Sequence, residues 1–235
     1  MLYNQVKNKI MEKLITMLAV TLLFNPLGLF AQPVKLGQYT LTANKVSVSK
    51  VKIMGKDAVR VVKDSSIKAV DEPTFARLSN VYFKNGTIEV KVLSRLLSDA
   101  PEFARGFIGL AFRINDSNTR YESIYIRPTN GRADDQVRRN HSIQYYASPD
   151  YKYDRLRKES PERYESYADM ALNQWITIRI EVKNERAQLF LNGSKQPALV
   201  VNDLKLGPDA KGAIGLWVDV GTEGFFSDLK VLKQE

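Results

Sequence analysis

The chain has 235 residues, with no cysteine, one histidine and a formal net charge of +9. The absence of cysteine excludes disulfide scaffolds, thiolate metal sites and cysteine nucleophiles, and one histidine excludes a multi-histidine metal centre within a single chain. Hydrophobic residues make up 44% and charged residues 26% of the sequence, which is typical of a globular protein. We predict that it binds neither a metal ion nor an organic cofactor.

The N-terminal segment has the pattern of a secretory signal peptide. A lysine-containing stretch precedes an apolar run over residues 14–24, and the small residue Ala31 follows at a suitable cleavage point. An uncleaved membrane anchor is the alternative, but Pro26 and Gly28 interrupt the run, which is shorter than the roughly 20 apolar residues of a spanning helix. We therefore predict a signal peptide over residues 1–31. The mature protein is expected to be periplasmic or secreted, with no stable membrane span.

The remainder of the chain alternates apolar and polar residues with a period of two, which predicts β-strands. Turn residues occur at 84–86 and at Asn192-Gly193, and a short turn of helix fits only residues 153–158 or 161–170. Roughly ten to twelve short strands without intervening helices predict one all-β domain over residues 32–235, a two-sheet antiparallel β-sandwich or jelly roll. The predicted strands cover residues 46–53, 59–62, 87–92, 108–114, 121–127, 142–147, 175–182, 187–191, 213–220 and 225–232.

Basic residues are concentrated near the start of the mature chain. Residues 32–70 contain eight lysines and arginines but only two acidic residues. These basic residues alternate with valine and isoleucine. The pattern indicates edge strands whose solvated faces carry lysines, which oppose pairing with another chain. Because nucleic-acid binding would require aromatic stacking groups among the basic residues, we predict no nucleic-acid partner.

Six segments carry strand sequences in a characteristic order: residues 106–113, 121–128, 173–182, 187–193, 212–217 and 225–231. This order resembles that of the concanavalin A-like lectin/glucanase superfamily. Within it, the pattern is most similar to the laminin-G-like and 3-keto-disaccharide hydrolase (DUF1080-type) domains of bacterial exported proteins. The resemblance implies a sandwich fold with saccharide binding or glycoside hydrolysis. The Glu-x-Asp-x-x-Glu strand of laminarinase-type glucanases is absent, so no catalytic residue follows from it.

Side-chain alternation sorts each predicted strand into a core face and an opposite face. Aromatic rings suit the C–H face of a sugar, while arginine, glutamine and aspartate suit its hydroxyls. The opposite face therefore predicts a saccharide-binding surface, although a solvated face with simple Tyr–Arg stacking would give the same pattern. Its predicted members are Arg113, Tyr125, Arg127, Gln144, Tyr146, Trp217 and Asp219, above a floor of Gly109, Ala111 and Gly215.

The segment from 138 to 169 contains six of the eleven tyrosines, interleaved with arginines. A connection of this length is typical of a binding loop, although it could instead cover its own sheet edge. His141 lies within it and is a candidate for ligand binding or acid–base work, with a structural hydrogen bond as the alternative. Further acidic candidates are Glu122, Asp134, Asp135 and Glu223.

These observations favour an exported β-sandwich that recognises a saccharide or glycan on an Arg/Tyr-rich sheet face. Two alternatives stay open. One is a glycoside hydrolase of the 3-keto-disaccharide hydrolase type, which the resemblance implies. The other is a structural or protein-interaction module of the cell envelope, which would present a flat face without a cleft.

Overall fold

A computed structural model describes residues 34–234, so the predicted signal peptide lies outside the described residues. This part of the chain contains fifteen strands, two short α-helices and one 3₁₀ turn. The strands are β1 Val34–Leu36, β2 Tyr39–Asn44, β3 Val46–Ile53, β4 Lys56–Lys63, β5 Phe75–Leu78, β6 Asn85–Leu96, β7 Ile108–Ile114, β8 Tyr121–Ile126, β9 Ile143–Ser148, β10 Glu165–Ser166, β11 Ile176–Lys183, β12 Arg186–Leu191, β13 Leu199–Val201, β14 Ala213–Val218 and β15 Thr222–Gln234. The helices are α1 Gln136–Asn140 and α2 Tyr153–Glu159, and the 3₁₀ turn is Pro128–Asn130.

The strands form two antiparallel sheets, which confirms the predicted β-sandwich. The eight-stranded sheet has the order β1-β2-β5-β14-β7-β8-β9-β10, and the seven-stranded sheet has the order β13-β12-β11-β6-β15-β4-β3. Neighbours such as β5 and β14 are far apart in the sequence, as expected for jelly-roll connections.

The core lies between the two sheets and contains the apolar side chains that alternation assigned to it. In β11, Ile176, Ile178 and Ile180 are buried while the intervening residues are partly exposed. In the opposite sheet, Leu110 pairs with Leu216 and both are fully buried. Each such side chain stabilises the fold by about 1.5–3 kcal/mol relative to its exposed state.

The lysine-rich region near residue 50 forms a sheet edge, as predicted. Strand β3 is the last strand of the seven-stranded sheet, and its Ser47, Ser49, Lys50 and Lys52 are exposed. Charged side chains along an outer strand oppose pairing with a second molecule.

Two of the local predictions hold and one is wrong. Asn192 and Gly193 form a turn with φ of 52° and 75°, and the helix predicted at 153–158 is α2. The turn predicted at 84–86 is instead the start of β6. Gly86 is required there because a Cβ atom would lie 2.0 Å from the carbonyl oxygen of Leu232 in β15. No helix among residues 34–234 is long and apolar enough to cross a membrane.

Candidate functional site

Several connections meet at one end of the eight-stranded sheet. Ile108, at the start of β7, pairs with Ile126 near the end of β8 and with Val218 at the end of β14. Because these strands are antiparallel, the residues just before β7 and just after β8 and β14 lie at the same sheet end. They surround a cavity of about 310 Å³, which we call the arginine cavity. Its lining residues are Val70, Asp71, Phe103, Arg105, Phe107, Tyr125, Arg127, Asn130, Arg138, His141, Tyr153, Arg157 and Asp219.

Two short helices place three of the lining side chains. Helix α1 is capped by Asp135, whose carboxylate accepts a hydrogen bond from the backbone N–H of Arg138 at 3.1 Å. Helix α2 anchors itself through Leu156, which is buried. Tyr153 and Arg157 are four residues apart in α2 and therefore share one helix face. The Arg157 guanidinium lies 5.4 Å from the centre of the Tyr153 ring.

Arg127 organises the deepest part of the wall. Its Nη2 donates to the Tyr125 hydroxyl at 2.8 Å and to Oε1 of Gln144 at 3.2 Å. Its Nη1 donates to the His141 carbonyl at 2.9 Å and to Oε1 of Glu165 at 3.3 Å. Four of the five donors of a guanidinium can be accounted for in this way, so Arg127 serves mainly to hold the wall together.

Glu165 lies behind this wall and contacts Arg127, Arg157 and His141. It accepts hydrogen bonds from Nε and Nη2 of Arg157 at 3.0 and 2.5 Å, and Nε2 of His141 lies 3.5 Å from its Oε2. Burial would raise the pKa of Glu165, but the hydrogen bonds and charges of Arg157, Arg127 and His141 outweigh it and hold that pKa below its usual value. Burial also lowers the pKa of His141, despite the nearby Glu165.

Two aspartates lie at the opposite wall. Asp219 accepts hydrogen bonds from the ammonium of Lys63 at 2.5 Å and from the backbone N–H of Asp71 at 2.8 Å. Asp71 accepts from the backbone N–H of Tyr153 at 3.2 Å. Burial, together with the negative charge of Asp219, raises the pKa of Asp71 to about 7. The cavity therefore contains an acid that is partly protonated near neutral pH.

The structure brings four of the predicted ligand-binding residues to the arginine cavity: Tyr125, Arg127, His141 and Asp219. The segment predicted as a binding loop, 138–169, supplies Arg138, His141, Tyr153 and Arg157 to the same lining. Whether any of them contacts a ligand stays a prediction.

Three further residues lie on the predicted face, but that face is not open. Gln144, Tyr146 and Trp217 have no exposed surface. The indole N–H of Trp217 donates to the Glu72 carbonyl at 3.0 Å, and Lys152 pairs with the Glu72 carboxylate at 2.9 Å. The segments before β5 and α2 thus cover this part of the sheet, and the prediction that these three side chains form an open ligand surface is wrong.

The predicted glycine floor is also filled by protein. A Cβ atom on Gly109 would lie 2.5 Å from Cα of Tyr125, and one on Gly215 would lie 2.9 Å from Cγ of Phe75. The small residues therefore make room for aromatic side chains of neighbouring strands.

The prediction that Arg113 shares this site with Arg127 is wrong. Arg113 lies near the far end of β7, five residues from Ile108, which is roughly 17 Å along a strand. It has a positive φ of 55° beside the irregular pairing of β7 with β14. Its guanidinium donates to the carbonyl oxygens of Lys84, Asn184 and Gly207 at 3.0, 2.6 and 3.1 Å. Arg113 therefore connects separate segments of the chain through buried hydrogen bonds.

The remaining acidic candidates lie elsewhere. Glu122 is buried on the core face, where it accepts hydrogen bonds from the Tyr145 hydroxyl and the backbone N–H of Leu206. Glu223 pairs with Arg60, Asp135 caps α1, and Asp134 is exposed. Among residues 34–234, no group of three or more acidic or histidine side chains could hold a metal ion.

Sequence reasoning missed Asp71, Phe103 and Arg105 as site residues. Each precedes a strand of the eight-stranded sheet, β5 for Asp71 and β7 for the other two. Given the sheet order, their placement at one end would follow from antiparallel pairing. The order of the strands within the sheet, which the sequence does not give, was the information needed to find them.

Solved structures with a similar fold were found for this chain. A carbohydrate-binding module, CBM66 from Bacillus subtilis, aligns over 80% of this chain and 95% of its own, with 11% identity and a TM-score of 0.50. A candidate glycosyl hydrolase from Parabacteroides distasonis aligns over 81% of this chain and 94% of its own, with 13% identity and a TM-score of 0.49. Domain 4 of AbnA, an extracellular arabinanase from Geobacillus stearothermophilus, aligns over 83% and 82%, with 13% identity and a TM-score of 0.46.

No protein-family model matches the sequence, and no curated protein matches it. CBM66 is 11% identical to this chain, so the similarity concerns the fold alone. The residues that the structure describes have a two-sheet antiparallel β-sandwich fold, as the strand pattern predicted.

Proposed function

We propose that this protein is an exported saccharide-binding β-sandwich whose binding site is the arginine cavity. The observation that carries the proposal is the convergence there of aromatic rings and polar side chains. Phe103, Phe107 and Tyr153 offer apolar faces, while the arginines and Asp71 offer donors and acceptors. Sugar recognition requires this combination, because a pyranose presents C–H groups on its faces and hydroxyls at its rim.

Phe103 is the most accessible of these rings. It is 53% exposed although it is a large apolar side chain, and it stands at the cavity beside Arg105 and Phe107. An exposed aromatic ring at a polar cavity is typical of a stacking platform for a ligand. The presence of a cavity also favours a ligand-binding role over a flat protein-interaction module. A volume of about 310 Å³ lies at the small end of the roughly 300–1,000 Å³ of ligand pockets.

A glycoside hydrolase is the second candidate function, and the Asp71–Asp219 pair favours it. Hydrolysis of a glycoside uses two carboxyl groups with separated pKa values, one of them protonated near neutral pH. Asp71, with its pKa of about 7, has the property required of the acid. Asp219 is engaged by Lys63 and by two backbone N–H groups, which favours a structural role and ranks hydrolysis second.

A glycan array with a parallel hydrolysis screen tests both functions. Saccharides that bind the wild type should bind Phe103→Ala at least tenfold more weakly, because the stacking ring is lost. Tyr82→Ala is the matched control, since Tyr82 is 56% exposed but does not line the cavity. Equal binding by wild type and Phe103→Ala would contradict the proposed site. Release of sugar by the wild type, abolished in Asp71→Asn, would establish the hydrolase instead.

A further inference from the structure

The arginine cavity has an excess of positive charge. Arg105, Arg127, Arg138 and Arg157 all line it, and Lys63 stands behind Asp219. On the acidic side, Glu165 is shared by Arg127 and Arg157, and Asp219 is paired with Lys63. With Asp71, which is partly ionised near neutral pH, three acids face five cations, so the cavity keeps a net positive charge.

Arg105 and Arg138 are the two lining arginines that form no ion pair in the described part of the chain. Within residues 34–234, neither guanidinium has a carboxylate oxygen within 4.0 Å. Arg105 donates to the carbonyl oxygens of Glu102 and Ala104 at 2.6 and 2.9 Å. These neutral acceptors satisfy N–H donors of the guanidinium but do not balance its positive charge. Burial and the charge of Arg138 lower the pKa of Arg105, and the negative charge of Glu102 offsets them only in part.

Two buried polar atoms of the lining also have no hydrogen-bond partner in the described part of the chain. They are Nε of Arg138 and Oδ1 of Asn130. Asn130 is only 4% exposed, and its amide nitrogen is fixed by a 3.1 Å bond to the His141 carbonyl. A buried polar atom without a partner costs free energy, and a bound molecule can supply the missing partner. Arg138 Nε requires an acceptor, and Asn130 Oδ1 requires a donor such as a hydroxyl.

We propose that the arginine cavity binds an anionic saccharide, whose carboxylate or sulfate group lies between Arg105 and Arg138 and whose hydroxyls reach Asn130. This inference rests on the proposed function and adds the chemical class of its ligand. A guanidinium matches both oxyanions because its parallel N–H groups can donate to two oxygens at once. Phe103 then contacts the ring of the same sugar unit.

Titration calorimetry with matched pairs of oligosaccharides tests the charge requirement. One pair is an oligogalacturonide and its methyl ester, and a second is an alginate oligomer and its carboxyl-reduced form. A third pair is a carrageenan oligomer and its desulfated form. We expect the anionic member of at least one pair to bind at least tenfold more tightly than its neutral partner. Preference in the first two pairs identifies a carboxylate, and preference in the third identifies a sulfate.

The variants Arg105→Gln and Arg138→Gln locate the effect. Each should reduce binding of the anionic member roughly tenfold or more and reduce binding of the neutral member by a clearly smaller factor, so that the preference for the anionic member falls. Arg186→Gln is the matched control, because Arg186 is exposed on β12 and outside the cavity. Circular dichroism and the melting temperature establish that each variant is folded, and glutamine retains a donor for the contacts of Arg105.

The outcomes separate the inference from the proposed function. If neutral saccharides bind at the cavity as tightly as anionic ones, the charge requirement is wrong while saccharide binding stands. If the anionic preference survives in both arginine variants, the anion does not lie between Arg105 and Arg138. If no saccharide of the panel or of the glycan array binds the wild type, both proposals are wrong.

Discussion

The backbone N–H of Asp71 donates a hydrogen bond of 2.8 Å to the carboxylate of Asp219, so two acids from distant parts of the chain meet at the arginine cavity. Asp71 precedes β5 and Asp219 follows β14, and these strands are neighbours in the eight-stranded sheet. Asp71 has a left-handed backbone, with φ of 53°. Burial and the nearby charge of Asp219 together raise the pKa of Asp71, which the first prediction tests.

Asp71→Asn is expected to change the pH dependence of stability. The pKa of Asp71 is about 7 in the folded protein and about 3.9 in an unfolded chain. Between these values the unfolded state releases the proton and the folded state keeps it, so the free energy of unfolding falls as pH rises from about 4 to 7. Asparagine is neutral throughout and tolerates the left-handed backbone.

The stability of Asp71→Asn relative to the wild type should therefore increase with pH by a few kcal/mol between pH 4 and pH 8. Urea unfolding at a series of pH values measures this difference. A constant difference across the range would show that Asp71 has an ordinary pKa.

Lys63→Met is expected to destabilise the protein by about 3–5 kcal/mol, because it leaves the buried Asp219 carboxylate without its cation. The side chains of Lys63 and Asp219 are 4% and 3% exposed. Lys91→Met is the matched control, since Lys91 and Asp228 form a 2.7 Å pair that is far more exposed. The control should cost far less, because an exposed ion pair contributes little to stability. Equal losses in urea unfolding would contradict the assignment of Lys63–Asp219 as a buried pair.

Arg127→Lys is expected to destabilise the protein by about 1–3 kcal/mol, as well as weaken ligand binding. A lysine ammonium cannot reach the Tyr125 hydroxyl and Gln144 Oε1 with the geometry of the guanidinium fork, and Gln144 is buried. Arg132→Lys is the control, because Arg132 also contacts a carboxylate through two nitrogens, that of Asp169, but at an exposed site. A stable Arg127→Lys variant would mean that these hydrogen bonds contribute little.

The division of strands into faces was predictable because side-chain alternation is a local property. Tyr125 and Gln144 were assigned to one face, and they are direct partners in β8 and β9. The cover over this face was not predictable in the same way. The Trp217 indole is satisfied by the backbone carbonyl of Glu72, an acceptor that every residue possesses and that no sequence pattern marks.

Alternation also contains no information about position along a strand. Arg113 and Arg127 were placed together because each lies on the non-core side in a two-residue repeat. In the structure, Arg113 is near the end of β7 that lies away from the cavity. Its positive φ departs from the extended backbone on which the two-residue repeat depends. The cavity itself depends on sheet order, which joins β5, β14 and β7 although many residues separate them in sequence.

A backbone-amide NMR titration with the best saccharide from the array tests the central claim most directly. We expect the shifted amides to cluster in residues 70–71, 103–107, 127–141 and 153–157, which surround the arginine cavity. Amides of β3 and β13, the two end strands of the other sheet, should stay unchanged. Shifts concentrated on the seven-stranded sheet, with those around Arg105 and Arg138 unaffected, would contradict saccharide binding in the arginine cavity.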